Sequence, residues 1–557
     1  MFKPKPTSII DYYKTGHIRQ TPKGLEAAYI NITPRSDKYA PKVDGIDTRS
    51  VVFGVAGFVI EYLVEAWNEM FFLRPREEVV REYQRRCDNG LGKDTVDAEE
   101  FGKLHDLGYL PIRVKALPEG TRCPSKIPFM TIKSTHKDFA WLPGFMEDAW
   151  SIGIWKPATT ASIGFYYRQV LDKYAHLTGS PLAFVPFQGH DFSLRGKGDY
   201  SDGARSGGGH LLSFVGTDTV CAIDYMEDYY GANSDTALVG CSVPASEHFV
   251  SSCNIIVLEA ELRETGRAGK YAMWELLEVP ELREDEGSYA YTDDDYKSAA
   301  ETAFIIHYFT EIYPTGVASY VTDTYDYWRV LNVILRRKIV KDALLSRKPD
   351  ANGNCKAVFR PDSGDPDLII NGDPNAAVGS PEFKGSLWIL WDIFGGTRTS
   401  LNFKVLNSFV GLIYGDSITL QLSDKILDGM MVNGFASCNI VFGIGSYTYQ
   451  MLSRDTYGFA VKATWCKVNG RAYEIYKDPK TDDGTKKSAR GLIRVERVLG
   501  AHGSTLQMFD QQTEEEEEEG GELKVVFANG WAPPFDDHET IRARLWGGNF
   551  YGAYQAP

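Results

Sequence analysis

Ser242-Val-Pro-Ala-Ser-Glu-His248 brings two hydroxyls, a carboxylate and an imidazole together in one short stretch. An imidazole titrates near neutral pH and has two usable ring nitrogens. His248 is therefore a candidate reactive group, or else a histidine hydrogen-bonded at a strand end. Arg360-Pro-Asp-Ser-Gly-Asp-Pro366 joins a guanidinium to two nearby carboxylates. A guanidinium grips phosphate oxygens with paired N–H donors. Asp362 and Asp365 could hold Mg²⁺ or ribose hydroxyls beside those phosphates. The same residues also fit a Pro/Gly turn in which Ser363 or Asp365 caps a helix. Gly443-Ile-Gly-Ser446 has the small residues that let a phosphate approach backbone N–H groups at a helix start. It lacks the third glycine of a dinucleotide fingerprint. Arg454 comes next, either as another phosphate ligand or as a surface ion-pair partner. In Gly189-His-Asp-Phe-Ser-Leu-Arg-Gly196, Phe192 and Arg195 can sandwich a flat ring. Asp218 can accept hydrogen bonds from a carboxamide and would repel a carboxylate. Taken singly these are a core Phe, a surface Arg and a capping Asp. Together they describe a pocket with a ring clamp at one end and phosphate groups at the other.

These residues stand just after apolar runs of strand length. The strand candidates are 182–187, 212–214, 239–243, 317–321, 357–359, 411–414 and 439–442. The run Asp235 to Cys241 leads into the His248 loop, and Pro244, which cannot donate to a ladder, should end that strand. Polar and glycine residues at the C-terminal ends of repeated strands are where a (β/α) barrel builds its site. An open α/β sheet also places ligands there. Seven units favour closure. A helix is expected from Tyr447 to Arg454. Before residue 155 the chain reads as mixed α+β, with helices at about 51–73, 75–87 and 97–107 and strands at 27–33, 109–117 and 127–133. After 458 it is β-rich, with alternation over 459–476 and 491–499. Two stretches look inserted. One is the acidic segment 259–297, with Arg283-Glu-Asp-Glu-Gly287. The other is the Glu-rich stretch 513–521, which reads as a solvated loop.

The composition narrows the class. A chain of 557 residues, 43% hydrophobic and 13% aromatic, can bury two or three cores. A net charge of −15 argues against a nucleic-acid surface, but leaves room for a small basic pocket. The eight cysteines show no Cys-x-x-Cys spacing, which disfavours zinc and suits a reducing, cytoplasmic location. The apolar stretch Val51–Leu73 carries Glu61, Glu65 and Glu69 every four residues, a polar stripe on a packed helix and not a membrane span.

Gly189-His-Asp-Phe…Arg195-Gly, Gly216-Thr-Asp-Thr, Ser242-Val-Pro-Ala-Ser-Glu-His, Asp323-Thr-Tyr-Asp, Arg360-Pro-Asp-Ser-Gly, Tyr414-Gly-Asp-Ser and Phe442-Gly-Ile-Gly-Ser stand in one order, with Asp11-Tyr-Tyr-Lys before them and Lys477-Asp-Pro after. In these the chain resembles the nicotinate/nicotinamide phosphoribosyltransferase family, on the nicotinamide side. The resemblance implies an α/β fold: an irregular (β/α) barrel-like core over 155–458, flanked by a β-rich α+β domain built from both chain ends, 1–154 and 459–557. It implies phosphoribosyl transfer from 5-phosphoribosyl-1-pyrophosphate (PRPP) to nicotinamide, giving nicotinamide mononucleotide and pyrophosphate in NAD salvage. Phe192, Arg195 and Asp218 would hold nicotinamide. Arg360, Asp362, Gly415, Asp416, Gly445, Ser446 and Arg454 would hold ribose and phosphates. His248, Asp326 and Asp362 would serve the chemistry, with His248 phosphorylated by ATP in a step that couples hydrolysis to synthesis without being essential to it. The resemblance also implies Mg²⁺, with no metal ligand assigned, and a homodimer in which Asp11 and Tyr13 reach the partner's site. Departures from the family pattern are Ser193-Leu194 in place of Gly and an aromatic residue, Thr322 for serine, and Ser446 for glycine. A nicotinate phosphoribosyltransferase shares the architecture, and a barrel that binds phosphorylated ligands without chemistry is the reading from another class.

Overall fold

The computed structural model describes residues 4–279, 290–477, 489–500, 503–519 and 521–552. Arg283–Gly287 and Asp478-Pro479 lie outside the described residues.

The centre of the molecule is a parallel sheet of five strands in the spatial order Gly189–Asp191, Ile440–Ile444, Val410–Tyr414, Cys355–Arg360, Gly316–Val321. Val410–Tyr414 is buried at every position, as expected of a parallel strand covered on both faces. Single parallel bridges complete the circuit. Asp191 pairs with Thr217, Gly216 with Cys241, and Ala245 with Ser319. Main-chain bonds accompany them: Thr217 N–H to Cys241 at 2.8 Å, Cys241 N–H to Val215 at 2.7 Å and Ser319 N–H to Pro244 at 2.8 Å. The ring is therefore a barrel with five regular staves and two irregular ones.

Three of the expected strands are different objects. Residues 182–187 form a 3₁₀ helix, because Pro181 and Pro186 withhold ladder donors, and the pairing strand starts at Gly189. Residues 212–214 close the helix Tyr200–Leu211. Its Gly207-Gly-Gly209 is a contact face. A Cβ on Gly209 would fall 2.8 Å from Ala161 N on the long helix Glu147–Thr178, and one on Gly207 would fall 2.5 Å from Ala222 Cβ. Residues 239–243 are one of the irregular staves, with a bridge only at Cys241. The helix expected over 447–454 is confined to Ser446–Tyr449.

The flanking layer is an antiparallel sheet ordered Arg471–Glu474, Ala460–Val468, Leu25–Thr33, Met130–Ser134, Ile112–Ala116, Lys524–Ala528. Both chain ends contribute to it. In the described part of the acidic segment 259–297 the helix His248–Thr265 runs on into it, a short hairpin comes after, and the helix Asp293–His307 packs back.

The Glu run is a helix and not a loop, and one of its glutamates, Glu517, is not solvated. Glu514–Glu519 is a helix lying on the flanking sheet, with Glu517 buried. Glu517 pairs with Arg113 at 2.6 Å and Lys115 at 2.9 Å, and Glu514 with Lys133 at 2.9 Å and Lys467 at 3.0 Å. Glu517→Ala is expected to cost about 3 kcal/mol, because Lys115 would stay buried with the residue 517 carbonyl but without its counter-charge. Equilibrium unfolding checks this, and a midpoint equal to that of the unsubstituted protein would return the run to the solvated surface.

All eight cysteines are free thiols. Among the described residues no helix is long and apolar enough to cross a membrane.

Candidate active site

The C-terminal strand ends converge on one mouth of the barrel. Asp191 ends the first stave, and its Oδ1 accepts the Ser193 N–H at 2.9 Å and the Ser193 hydroxyl at 2.6 Å. This closes a tight turn and gives the Ser193 departure a structural task. The Phe192 N–H donates to the Ile444 carbonyl at 2.9 Å. The Phe192 ring lies over the next two stave ends. A Cβ on Gly443 would fall 2.4 Å from the ring and one on Gly415 3.3 Å, so these glycines make room for it. Arg195 is exposed on the 3₁₀ turn Leu194–Gly196.

Asp218 stands on the neighbouring irregular stave, its N–H donating to the Asp191 carbonyl at 3.0 Å. The Ser242 hydroxyl donates to its carboxylate. Asp218 is open to solvent, yet the enclosing protein raises its pKa. Ser242, Arg360 and Arg195 pull the other way, and Asp191 adds to the rise. Arg195 and Arg360 are thus the cations that face this carboxylate.

The second half of the site is built on Asp323. Its Oδ2 accepts the Asp362 N–H at 3.1 Å and the Ser363 hydroxyl at 2.6 Å. Its Oδ1 lies 3.1 Å from His248 Nε2. A carboxylate oxygen accepts, so Nε2 is the donor, and Nδ1 has no hydrogen-bond partner among the described residues. His248 is the first residue of its helix, with a half-exposed side chain. Arg360 donates to the Ser246 carbonyl at 3.0 Å and pairs with Asp362 at 3.2 Å, while its Nε is buried without a hydrogen-bond partner among the described residues. The Ser246 hydroxyl accepts the Val321 N–H at 2.9 Å, locking the His248 loop to the adjoining stave. Tyr414 OH donates to the carbonyls of Ser363 and Gly364 at 2.9 and 3.1 Å, pinning the Arg360 loop from the other side.

Gly415 and Asp416 come directly after Tyr414, with Asp416 exposed. Gly445 has open space where a Cβ would stand, and Ser446 begins the short helix behind it. Asp365 caps the helix Pro366–Asn371. Asp326 caps the helix Tyr327–Asn332 through the Arg329 N–H, so Asp323, three residues earlier, is the carboxylate that meets His248. The sequence shows Asp323 only as part of a motif. Its cue was position, directly after the Gly316–Val321 strand like the other site residues.

Arg454 is exposed and lies in a basic group with Arg35, Lys462 and Lys477. The surrounding protein lowers the pKa of Lys462, Glu147 opposes, and the other three cations lower it further. Arg35 and Lys462 are additions that the sequence did not single out, and Lys477 opens the Lys477-Asp-Pro motif. Asp11 and Tyr13 make their contacts on the flanking layer. The Asp11 N–H donates to Asp148 at 2.7 Å, and Tyr13, 58% exposed, stands against His17. Among the described residues no group of three or more His, Cys, Asp or Glu could hold a metal ion.

The model of the nicotinate phosphoribosyltransferase (NAPRTase) family matches residues 187–530. A protein of Acinetobacter baylyi named nicotinamide phosphoribosyltransferase is 46% identical over 544 residues, covering 98% of this chain and 97% of its own. Its namesake in Xanthomonas campestris pv. campestris is 27% identical over 93% of each chain. The crystal structure of human nicotinic acid phosphoribosyltransferase superposes with a TM-score of 0.54 at 13% identity, covering 98% of this chain and 94% of that one, which is a likeness of fold.

Proposed function

The chain belongs to the nicotinate phosphoribosyltransferase family and is a phosphoribosyltransferase of NAD biosynthesis, and from that premise we propose that its acceptor is nicotinamide and its donor PRPP. The observation that carries the choice of acceptor is Asp218. A carboxylate at the ring end of the site accepts hydrogen bonds from a carboxamide NH₂ and repels the carboxylate of nicotinate. The name of the Acinetobacter relative supports the same choice.

The ring lies against Phe192, with Arg195 beside it. In the homodimer Tyr13 of the partner subunit covers the other face and Asp11 stands near. The ribose and phosphates lie over Gly415, Asp416, Gly445 and Ser446. The pyrophosphate meets Arg360, Asp362 and the basic group of Arg454, Arg35, Lys462 and Lys477. As the bond from ribose C1 to the pyrophosphate oxygen breaks, its electron pair leaves with pyrophosphate, and the nicotinamide ring nitrogen supplies the pair for the new C–N bond. The protein forms no covalent bond to the sugar. It positions the two reactants and neutralises the leaving group. Without a cluster of metal ligands among the described residues, the donor set fits a Mg²⁺ that arrives on PRPP, with Asp416 or Asp362 as its one protein carboxylate. His248, held by Asp323, takes the γ-phosphoryl of ATP on Nδ1: the imidazole lone pair forms the N–P bond as the P–O bond breaks and its electron pair leaves with ADP, and hydrolysis of the phosphohistidine by water to imidazole and inorganic phosphate drives synthesis. The enzyme works in the cytoplasm.

The test is one assay run with nicotinamide and nicotinate in parallel, with PRPP and Mg²⁺. Nicotinamide mononucleotide is the expected product, and nicotinate turns over at a small fraction of that rate. Equal or faster turnover of nicotinate would make the protein a nicotinate enzyme. No product from either acceptor would leave a barrel that binds phosphorylated ligands without chemistry.

A further inference from the structure

Phe192 and Arg195 share one turn, and that turn is fastened to residues 444–449 at three points. The Phe192 N–H donates to the Ile444 carbonyl at 2.9 Å. The Gly196 backbone lies directly on Ser446, since a Cβ there would fall 1.8 Å from the Ser446 Oγ and 2.9 Å from its Cβ. The Lys197 Nζ donates to the Tyr449 carbonyl at 2.7 Å. Burial lowers the Lys197 pKa to about 8, with Asp191 and Asp202 opposing and Lys156 adding, so the donor is an ammonium at neutral pH. Lys156 in turn holds the Gln450 side chain at 2.7 Å. The segment that would receive a phosphate is thus gripped from the side that carries the ring clamp.

We infer that Lys197 is a positioning residue that couples the two ends of the site, by tying the Arg195 turn to the Ser446–Tyr449 helix. This rests on the proposed binding of nicotinamide at one end and phosphate at the other. A phosphate settling at Gly445 and Ser446 orders that segment. Through Ser446 against Gly196, and Tyr449 against Lys197, it also orders the turn that carries Arg195. The second ligand then meets a turn that is already ordered and binds more tightly, and the effect is reciprocal.

The probes are nicotinamide and ribose 5-phosphate, which carries the phosphate but no pyrophosphate leaving group. In the unsubstituted protein, saturating ribose 5-phosphate is expected to tighten nicotinamide binding about tenfold by calorimetry. Lys197→Met keeps the length of the side chain and removes the donor. It is expected to bring that factor to within about twofold of one, whereas Lys197→Arg keeps most of it. Gly196→Ala puts a methyl group on Ser446 and should also lower the factor, and adding Ser446→Gly should restore it. An unchanged factor in Lys197→Met, or no coupling in the unsubstituted protein, overturns the inference. If Lys197→Met does not fold, the Gly196 pair decides: loss without restoration overturns it. Product formation by the unsubstituted enzyme is measured alongside. Its absence would overturn the proposed reaction, whereas product with unchanged coupling overturns only the role of Lys197.

Discussion

Asp218→Asn is expected to raise the kcat/KM for nicotinate relative to nicotinamide by roughly thirtyfold, an estimate that rests on like-charge repulsion. Two unit charges at 4 Å repel by about 4 kcal/mol at an effective dielectric of 20, and solvent in an open cleft reduces that to about half. Asparagine removes the charge and keeps a carbonyl that can accept from the carboxamide and from Ser242, so nicotinamide itself should lose less than about tenfold. Arg195 and Arg360, which oppose the Asp218 charge at present, then face the nicotinate carboxylate without competition. Competing-substrate kinetics read the ratio directly. A ratio that does not move would take discrimination away from Asp218 and place it elsewhere in the pocket.

His248→Ala is expected to abolish ATP coupling outright while leaving phosphoribosyl transfer. The imidazole is the phosphoryl acceptor in the proposed cycle, but no bond to the ribose or to nicotinamide passes through it. The loop beneath it stays held, because Asp323 keeps the Asp362 N–H and the Ser363 hydroxyl after the imidazole is gone. Two quantities should therefore separate. ATP consumed per nicotinamide mononucleotide formed falls to background, and the ATP-independent rate persists. Radiolabel from γ-labelled ATP should no longer appear on the protein. Loss of all transfer from a folded His248→Ala enzyme would show that the imidazole serves the transfer itself.

The barrel was legible because parallel strands buried on both faces are short apolar runs, and four of these, within Gly316–Val321, Cys355–Arg360, Val410–Tyr414 and Ile440–Ile444, are regular staves, whereas the fifth stave, Gly189-His-Asp191, is no apolar run and begins after the one expected at 182–187. The polar residues at the C-terminal end of each run were legible for the same reason, and they named Asp218, His248, Arg360 and the Gly445 segment. The remainder depends on contacts distant in sequence. Three consecutive glycines carry no such pattern, and their reason shows only where Ala222, Tyr225 and the backbone of Ala161 take up the space beside them. A run of glutamates looks solvated until Arg113 and Lys115, some four hundred residues earlier, are placed beneath it. Asp323 and Asp326 are equivalent in a motif. Only the fold shows that one meets an imidazole and the other a helix N-terminus. The cations around Arg454 come from separate parts of the chain and have no shared spacing to read.

The ring of staves is laced unevenly. Between Gly316–Val321 and Cys355–Arg360 six residue pairs are in register, whereas Thr217, Cys241 and Ala245 are each held by single bridges. Asp218, Ser242 and His248 all stand on that sparsely tied arc. Local opening has its lowest free-energy cost where the fewest main-chain bonds must break together. Amide protons at 215–217 and 241–246 therefore exchange with solvent through smaller excursions than those of the regular staves. Asp218 and His248, to which the proposed cycle gives acceptor choice and phosphoryl transfer, ride on the sparsely tied part of the wall, while Arg360 ends the stave with six pairs in register.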